Sequence, residues 1–150
     1  MIKSLLVALM FISGLVKAQI PAINQQIVVY CKANEGKKID RGECWDLAAF
    51  ALNEANANWK PPFDFGKKYY FQKDSIFAGD IIQFENVEFK AENYRMTMPH
   101  HTAIVLEVLE DKKYVIAHQN FAGKRKVQFT EVNFGDLNKG KLQFYRPISK

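Results

Sequence analysis

Cys44 is the residue of this sequence whose type and position point most directly to chemistry. It lies where the extended segment 41–43 passes into the first turn of a predicted helix. Free backbone N–H groups and the positive end of the helix dipole stabilise a thiolate there, and the thiolate is the nucleophilic form of cysteine. The same amides can stabilise an oxyanion. Cys44 is therefore a candidate nucleophile, with a buried apolar side chain or a disulfide to Cys31 as the alternatives.

Two histidines could serve such a nucleophile because they lie on neighbouring predicted strands. His101 begins one strand, whereas His118 and Asn120 close the next and share one face by alternation. If the hairpin closes through the two-residue loop Glu110-Asp111, His101 lies opposite Asn120 and diagonal to His118, within reach of its ring. A slip of one residue would turn His101 to the other face of the sheet.

Together these residues predict a nucleophile, its base and the group that orients the base. A thiol needs a neighbouring base to accept its proton, and an imidazole needs a third group that fixes its tautomer. Cys44, His101 and His118 fit these three roles in that order. Asn120 could hydrogen-bond either ring or the substrate. His100, by contrast, is expected to be an ordinary surface residue.

Zinc binding is a second chemistry open to Cys44, His101 and His118, because three nitrogen and sulfur ligands with an open fourth position suit a catalytic metal. The sequence has neither CxxC nor HxxxH spacing, which are common among zinc ligands. The hydrolase hypothesis needs no metal or organic cofactor, so we expect none.

Two helices must position the cysteine. Pro21, followed by Ile23, Ile27 and Cys31 at helical spacing and closed by Gly36, predicts the first helix. The second is predicted over about residues 44–58, with its apolar residues on one face, and it stops before two consecutive prolines, which cannot continue a helix.

Beyond those prolines the pattern changes from helical to alternating. Five segments rich in β-branched and aromatic residues are predicted strands: 81–87, 102–109, 114–119, 126–132 and 142–145. Turn residues at 78–80, 110–112 and 122–124 separate them. Helices followed by an antiparallel sheet of about five strands define an α+β domain.

Residues 1–18 read MIKSLLVALMFISGLVKA, with a basic residue, an apolar run and a small-residue cleavage signal. This pattern is typical of a secretory signal peptide. The run is short for a membrane-spanning helix, which needs about 20 apolar residues, although a retained anchor is the alternative. We therefore expect a signal peptide over 1–18 and one domain over 19–150. That domain would be secreted or periplasmic and free of the membrane after cleavage.

The composition is that of a single globular domain. The chain has 150 residues, of which 48% are hydrophobic and 25% charged, and this excludes disordered and collagen-like proteins. The net charge of +5 falls to +3 when Lys3 and Lys17 leave with the signal peptide. The basic runs Lys37-Lys38, Lys67-Lys68 and Lys124-Arg125-Lys126 are scattered along the sequence, so we expect no nucleic-acid partner.

Three segments resemble the papain-like cysteine peptidases and amidases of the NlpC and CHAP type. Segment 42–48, GECWDLA, resembles their nucleophile at a helix N-terminus, and segment 78–84, AGDIIQF, resembles the Pro-Gly-Asp start of their first core strand. HTAIV at 101–105 with HQN at 118–120 resembles their histidine strand and the strand after it. These segments and the closing YRP at 145–147 resemble in particular the cysteine-proteinase-fold domain of fungal actin-patch scaffold proteins and its bacterial secreted relatives.

The resemblance covers residues 25–147 and implies a papain-like fold that hydrolyses a peptide or amide bond, with a cell-wall peptide as the favoured substrate class. Cys44 would form the thioester, His101 would be the base, and His118 would orient it with support from Asn120. His118 stands where CHAP members carry Glu, and Glu43 stands where many relatives carry Gln or Asp, so the oxyanion hole stays undefined.

The alternative is a secreted binding module that has this fold without the chemistry. The aromatic segment 63–71 is expected either to form a wall of the substrate groove or to pack in the core with exposed tyrosines. The sequence does not indicate the oligomeric state.

Overall fold

The structure, a computed structural model, describes residues 19–110 and 112–150. The predicted signal peptide lies outside the described residues. No helix of the described part is long and apolar enough to cross a membrane.

Two helices precede an antiparallel sheet of six strands, and this confirms the predicted α+β class. The helices are α1, Ala22–Ala33, and α2, Cys44–Glu54. The strands are β1, Lys67–Tyr69; β2, Ile81–Lys90; β3, Arg95–Val108; β4, Lys113–His118; β5, Gln128–Asn133; and β6, Leu137–Arg146. Their order in the sheet is β1-β6-β2-β3-β4-β5. The sequence pattern predicted five of these strands and did not predict β1. Strand β1 consists of three residues of the aromatic segment and pairs with β6.

Helix α2 begins at the candidate nucleophile and ends earlier than predicted. Its end is a Schellman motif, in which Asn56 takes φ 51°, the Asn56 N–H donates to the Asn53 carbonyl, and the Ala57 N–H donates to the Leu52 carbonyl. Asparagine tolerates the left-handed conformation, so the helix stops at Glu54. The proposed extension to residue 58 was therefore wrong, because a local cap ends the helix before the prolines do.

The sheet is buried on both faces. One face packs against the two helices through Ile81, Ile104, Leu106 and Ala117. The other carries a second cluster that includes Ile82, Phe84, Val105, Ile116 and Phe144, covered by Phe71 and Phe134. Each fully buried large apolar side chain contributes about 1.5–3 kcal/mol to the free energy of unfolding. The two clusters therefore stabilise the strands that carry the site.

The register of β3 against β4 matches the predicted hairpin near the histidines. Ile104 pairs with Ala117 and Val105 with Ile116, which is the pairing that places position 101 opposite position 120. A bulge between Val105 and Glu107 shifts the pairing by one residue towards the turn. The two-residue loop was therefore wrong, but the bulge compensates for the longer turn and preserves the register at the site.

Asp80 ties the helix layer to the sheet. Its buried carboxylate accepts hydrogen bonds from the hydroxyl of Tyr69 at 2.6 Å, the amide nitrogen of Asn24 at 2.9 Å and the guanidinium of Arg146 at 2.9 Å. The neighbouring Gly79 has φ +86°, and a Cβ there would lie 2.4 Å from the Asn24 carbonyl oxygen. The turn into β2 thus needs glycine because α1 lies directly against it.

Candidate active site

Cys44 is the first residue of α2, and its side chain is a partly exposed free thiol. The segment before it is held by the buried carboxylate of Asp46. That carboxylate accepts a hydrogen bond from the Glu43 N–H at 3.0 Å and one from the Arg41 guanidinium at 2.6 Å. The ion pair raises the pKa of Arg41. The first N–H groups of the helix are thereby kept in place beside the sulfur, as an oxyanion donor requires.

His101 and His118 form a direct hydrogen bond, with 2.8 Å between Nε2 of His101 and Nδ1 of His118. Nε2 of His118 in turn lies 2.8 Å from the hydroxyl oxygen of Thr130 on β5. Phe121 packs against both rings, with centroid distances of 5.7 and 4.8 Å. Three adjacent strands therefore present one hydrogen-bonded chain of side chains that fixes the orientation of His101.

The direction of hydrogen-bond donation along His101, His118 and Thr130 determines whether His101 can act as a base. If its Nε2 donates to His118 and His118 donates to Thr130, Nδ1 of His101 carries the lone pair. A lone pair at Nδ1 is what a general base needs. When Nδ1 then accepts a proton, the Nε2–H donor to His118 remains in place, so the chain stabilises both protonation states.

Burial keeps both rings neutral near pH 7. Only 4% of His101 and none of His118 is exposed. Burial lowers the pKa of His101 to about 4, and burial together with the positive charge of a protonated His101 lowers the pKa of His118 to about 3. A neutral His101 is the form that can take a proton from a thiol.

Cys44 and His101 line the same cleft, which has a volume of about 660 Å³. Trp45, Pro62 and Phe63 form an apolar wall, and Phe63 is 51% exposed. Gln83 and Glu85 of β2 also line the cleft, together with residues 100–102 of β3. His101 does not begin its strand as expected, because β3 starts at Arg95. The volume suits one or two amino-acid side chains of a bound peptide.

The side-chain hydrogen bonds of the described chain do not include one between Cys44 and His101. Alternation along β3 points Ile104 towards the helices and His101 towards the second core cluster, where its ring packs 6.1 Å from that of Phe84. Catalytic hydrogen bonds are often long in the free enzyme and tighten when substrate is bound. The structure thus places the thiol and the imidazole on one cleft without joining them.

Among the side-chain hydrogen bonds of the described residues, none joins Asn120 to His101 or His118. The Asn120 amide donates to the carboxylate of Glu43 at 2.6 Å, and Arg125 forms an ion pair with the same carboxylate. Of the two partners expected for Asn120, an imidazole or the substrate, the imidazole is replaced by Glu43, and the substrate stays a prediction. Arg125 thereby offsets the negative charge of Glu43, which is adjacent to Cys44 in the sequence and would otherwise oppose a thiolate there.

Gln119 is a site residue that sequence reasoning missed. It is fully buried, and its amide nitrogen donates to the carbonyls of Ile39 at 3.0 Å and Glu43 at 2.7 Å, while its oxygen accepts from the Ile39 N–H at 3.2 Å. One strand end thus orients the base through His118 and holds the loop before Cys44 through Gln119. The available signal was its position between two candidate site residues, His118 and Asn120.

The structure also shows the environments of His100, Cys31 and the aromatic segment 63–71. His100 is exposed and pairs with Glu85 at 2.7 Å, as expected of a surface residue. Cys31 is buried and free, burial raises the pKa of its thiol to about 12, and no disulfide joins it to Cys44. In the aromatic segment both interpretations hold in part, because Phe65 is buried in the core whereas Phe63 lines the cleft.

Cys44, His101 and His118 are not arranged as a metal site. Within the described ranges no group of three His, Cys, Asp or Glu side chains is arranged to hold a metal ion. Nε2 of His101 and Nδ1 of His118 are already bonded to each other. The zinc alternative therefore lacks a geometric basis.

Comparison with known proteins gives one family. The family described as the AIM3/BBC1 Cysteine proteinase-fold domain matches residues 18–150. The "Altered inheritance of mitochondria protein 3" of Debaryomyces hansenii is 32% identical over 138 residues, which cover 75% of this chain. The match spans only 14% of the length of that relative.

Solved structures share the fold. One, described as Ly7917 with the hydrolyzing product of MDP, has a TM-score of 0.52 and 18% sequence identity. Ly7917 alone gives a TM-score of 0.51 and 19% identity. Each match covers 83% of this chain and 62% of the other. At this identity the likeness establishes the papain-like fold, whose helices and antiparallel sheet are those described above.

Proposed function

This chain belongs to the AIM3/BBC1 cysteine proteinase-fold domain family, and we propose that it is an exported cysteine hydrolase that cleaves a peptide or amide bond. The observation that carries the proposal is the hydrogen-bonded chain from Thr130 through His118 to His101, which ends at the cleft that Cys44 also lines. A buried, oriented and neutral imidazole that lines the same cleft as an accessible thiol supports nucleophilic catalysis.

In the proposed reaction the sulfur of Cys44 attacks the substrate carbonyl carbon while Nδ1 of His101 takes the thiol proton. The oxyanion of the tetrahedral intermediate accepts a hydrogen bond from the Cys44 N–H at the start of α2. Collapse breaks the C–N bond, and His101 returns the proton to the departing amine, which leaves a thioester on Cys44. Water then attacks the thioester, with His101 as base, and releases the acid and the free thiol.

A cell-wall peptide is the proposed substrate class. The sequence of residues 1–18 supports export, which would bring the enzyme to cell-wall material. The apolar wall of Trp45, Pro62 and Phe63 supports a peptide ligand with small apolar side chains. A solved protein of similar fold is described with the hydrolyzing product of MDP.

The test is hydrolysis of peptidoglycan-derived peptides by the purified domain, followed by mass spectrometry. We expect Cys44→Ala and His101→Asn to lower kcat/KM by about 10³-fold or more. The matched controls are Cys31→Ala and His100→Gln, which change the same residue types outside the cleft or at its rim and should retain most activity. Equal activity of Cys44→Ala and wild type would overturn the proposal.

A second candidate function, binding without catalysis, is favoured by one observation: no hydrogen bond joins Cys44 to His101 in the described chain. Such a module would use the same cleft to hold a peptide. It predicts peptide binding that survives Cys44→Ala, together with no hydrolysis by wild type.

A further inference from the structure

Strand β3 is paired along its whole length on one side only. It pairs with β2 from Arg95 to Ile104, whereas β4 pairs with it only from Ile104 to Val108. Within the described residues, no strand pairs with the other side of segment 95–103. In an antiparallel strand every second residue directs its backbone N–H and C=O to the same side, so some of these groups point away from the sheet here. We call residues 95–101 the open edge.

The open edge stays unpaired because the loop after β4 turns away from β3. If β3 and β4 continued to pair in the same register, Phe121 would lie opposite His100. Phe121 instead exchanges two backbone hydrogen bonds with Lys124, at 3.1 and 3.0 Å. Asn120 and Ala122 take φ of 57° and 50° in this turn, a conformation that alanine rarely adopts. The loop therefore bonds to itself instead of extending β4 along the open edge.

A groove of about 420 Å³ lies between the open edge and this loop. Its lining consists of the open edge together with Asn120, Phe121 and Ala122. Thr97 is an exposed residue of that lining, near the middle of the open edge. The volume is within the range of ligand pockets. The unpaired side of β3 is thus accessible within a groove and not covered by the loop.

The groove and the active-site cleft meet at two shared residues. His100 and His101 line both cavities, and Cys44 lines the cleft. The candidate base therefore lies at the junction of the groove and the cleft. A chain that follows the open edge reaches His101 at the end of the groove, from where its next bond can enter the cleft beside Cys44.

Backbone chemistry defines the occupant of the groove. A row of free N–H and C=O groups is completed by another extended backbone, as in strand addition to a sheet edge. A second folded copy of this chain does not fit, because its own residues 120–122 lie beside the same edge and would collide with the sheet. A small molecule would leave most of the edge groups unpaired. An extended peptide is therefore the ligand that the groove fits.

We propose that the open edge of β3 binds the peptide substrate as an added strand, on one side of the bond that is cleaved. In calling the peptide a substrate, this inference rests on the proposed hydrolysis. Because an added strand is held by its backbone, the open edge selects an extended peptide of several residues and tolerates varied side chains. The enzyme therefore prefers peptides that are extended on one side of the cleaved bond to dipeptides.

The test anchors peptides of about eight alanine and threonine residues, enough to span the open edge, to the Cys44 thiol. Each peptide carries a thiol at its N-terminal or its C-terminal end and forms a disulfide with Cys44 by exchange in mercaptoethanol, which needs no hydrolysis and fixes the register. One N-methyl group is placed at each successive amide, because N-methylation removes a backbone donor. The measured quantity is the mercaptoethanol concentration that displaces half of the peptide.

For one of the two attachment ends, we expect N-methylation to lower this concentration about 5-fold or more at every second amide and less than about 2-fold at the amides between. Thr97→Trp fills the groove and should lower it about 10-fold or more for the unmethylated peptide. The matched control Glu131→Trp places the same ring at an exposed position of the edge strand β5 and should stay within about 2-fold of wild type. Urea unfolding checks that both variants fold, and the N-methyl series decides the question without them.

N-methyl effects without a period of two, or equal effects of Thr97→Trp and Glu131→Trp, would contradict the proposal. Hydrolysis by wild type is measured separately, on dipeptides and on the longer peptides. Equal kcat/KM for both lengths would overturn the added strand and leave the proposed function standing. A period of two without any hydrolysis would support the open edge as a peptide site and overturn the proposed function.

Discussion

The buried pair of His101 and His118 makes the stability of this domain depend on pH well above the range in which carboxylates titrate. Burial holds the pKa of His101 at about 4 and that of His118 at about 3, below the ordinary value of 6.5. The unfolded chain therefore binds more protons than the folded chain between those values. Stability is complete above pH 6.5 and falls as the pH is lowered towards 4.

The magnitude follows from the two pKa values. Between pH 7 and pH 5 an unfolded histidine takes up about three-quarters of a proton, whereas each folded ring takes up almost none. At about 1.4 kcal/mol per pKa unit, this costs about 2 kcal/mol for each ring and about 4 kcal/mol for the pair. Asp and Glu contribute little in this window because their ordinary pKa values, near 4, lie below it.

The assay is urea unfolding followed by circular dichroism at pH 7 and pH 5. Wild type should lose about 4 kcal/mol of unfolding free energy between the two pH values, and His118→Gln should lose about half as much. His100→Gln is the matched control, because His100 is exposed, and it should behave as wild type. A loss below about 1 kcal/mol in wild type, or an effect of His100→Gln as large as that of His118→Gln, would refute this reasoning.

Three further predictions follow from the site and its supports. Gln119→Leu removes three hydrogen bonds to the loop before Cys44 and should lower the unfolding free energy by about 2–4 kcal/mol and also reduce kcat. Gln119→Glu should not restore activity, because a carboxylate cannot donate to the Ile39 and Glu43 carbonyls. An unchanged urea midpoint and kcat in Gln119→Leu would contradict this prediction. Gly79→Ala should lower the unfolding free energy, measured in urea, by at least about 2 kcal/mol more than Gly123→Ala. Both glycines have positive φ, but only at Gly79 would a Cβ meet backbone, at 2.4 Å. Equal effects of the two substitutions would contradict this prediction. The acid limb of the pH profile of kcat/KM should lie near pH 4, because protonation of His101 at about that pH removes the base. Circular dichroism checks that the protein is folded at each pH. An acid limb at pH 6.5 in folded protein would be inconsistent with a buried ring.

The sequence predicts the fold class and the positions of the site elements because those depend on local patterns. The stripe of Ile23, Ile27 and Cys31 defines α1, and alternation defines the histidine strands. The register near His101 was predicted from a two-residue loop that does not form, and it is correct because the bulge between Val105 and Glu107 compensates for the longer turn. Short β1 escaped prediction because three residues carry too little periodicity to be recognised.

The remaining features depend on contacts between distant segments, which no local pattern contains. Asn120 pairs with Glu43 across 77 residues, and Gln119 reaches Ile39 across 80. Lys37 and Lys126 look unrelated in the sequence and become neighbours only through the hydrogen bonds of Val127. Such long-range pairs form only when the chain folds, so the spacing of residues in the sequence does not reveal them.

If Cys44 is a nucleophile served by His101, an electrophilic substrate analogue should trap it as a covalent adduct. The measurement is intact-protein and peptide mass spectrometry after exposure of wild type, His101→Asn and Cys31→Ala to an electrophilic peptide analogue at neutral pH. We expect one adduct, on Cys44, in wild type and Cys31→Ala, formed about 10²-fold or more slowly in His101→Asn. No adduct on Cys44 in wild type, or equal rates with and without His101, would contradict it.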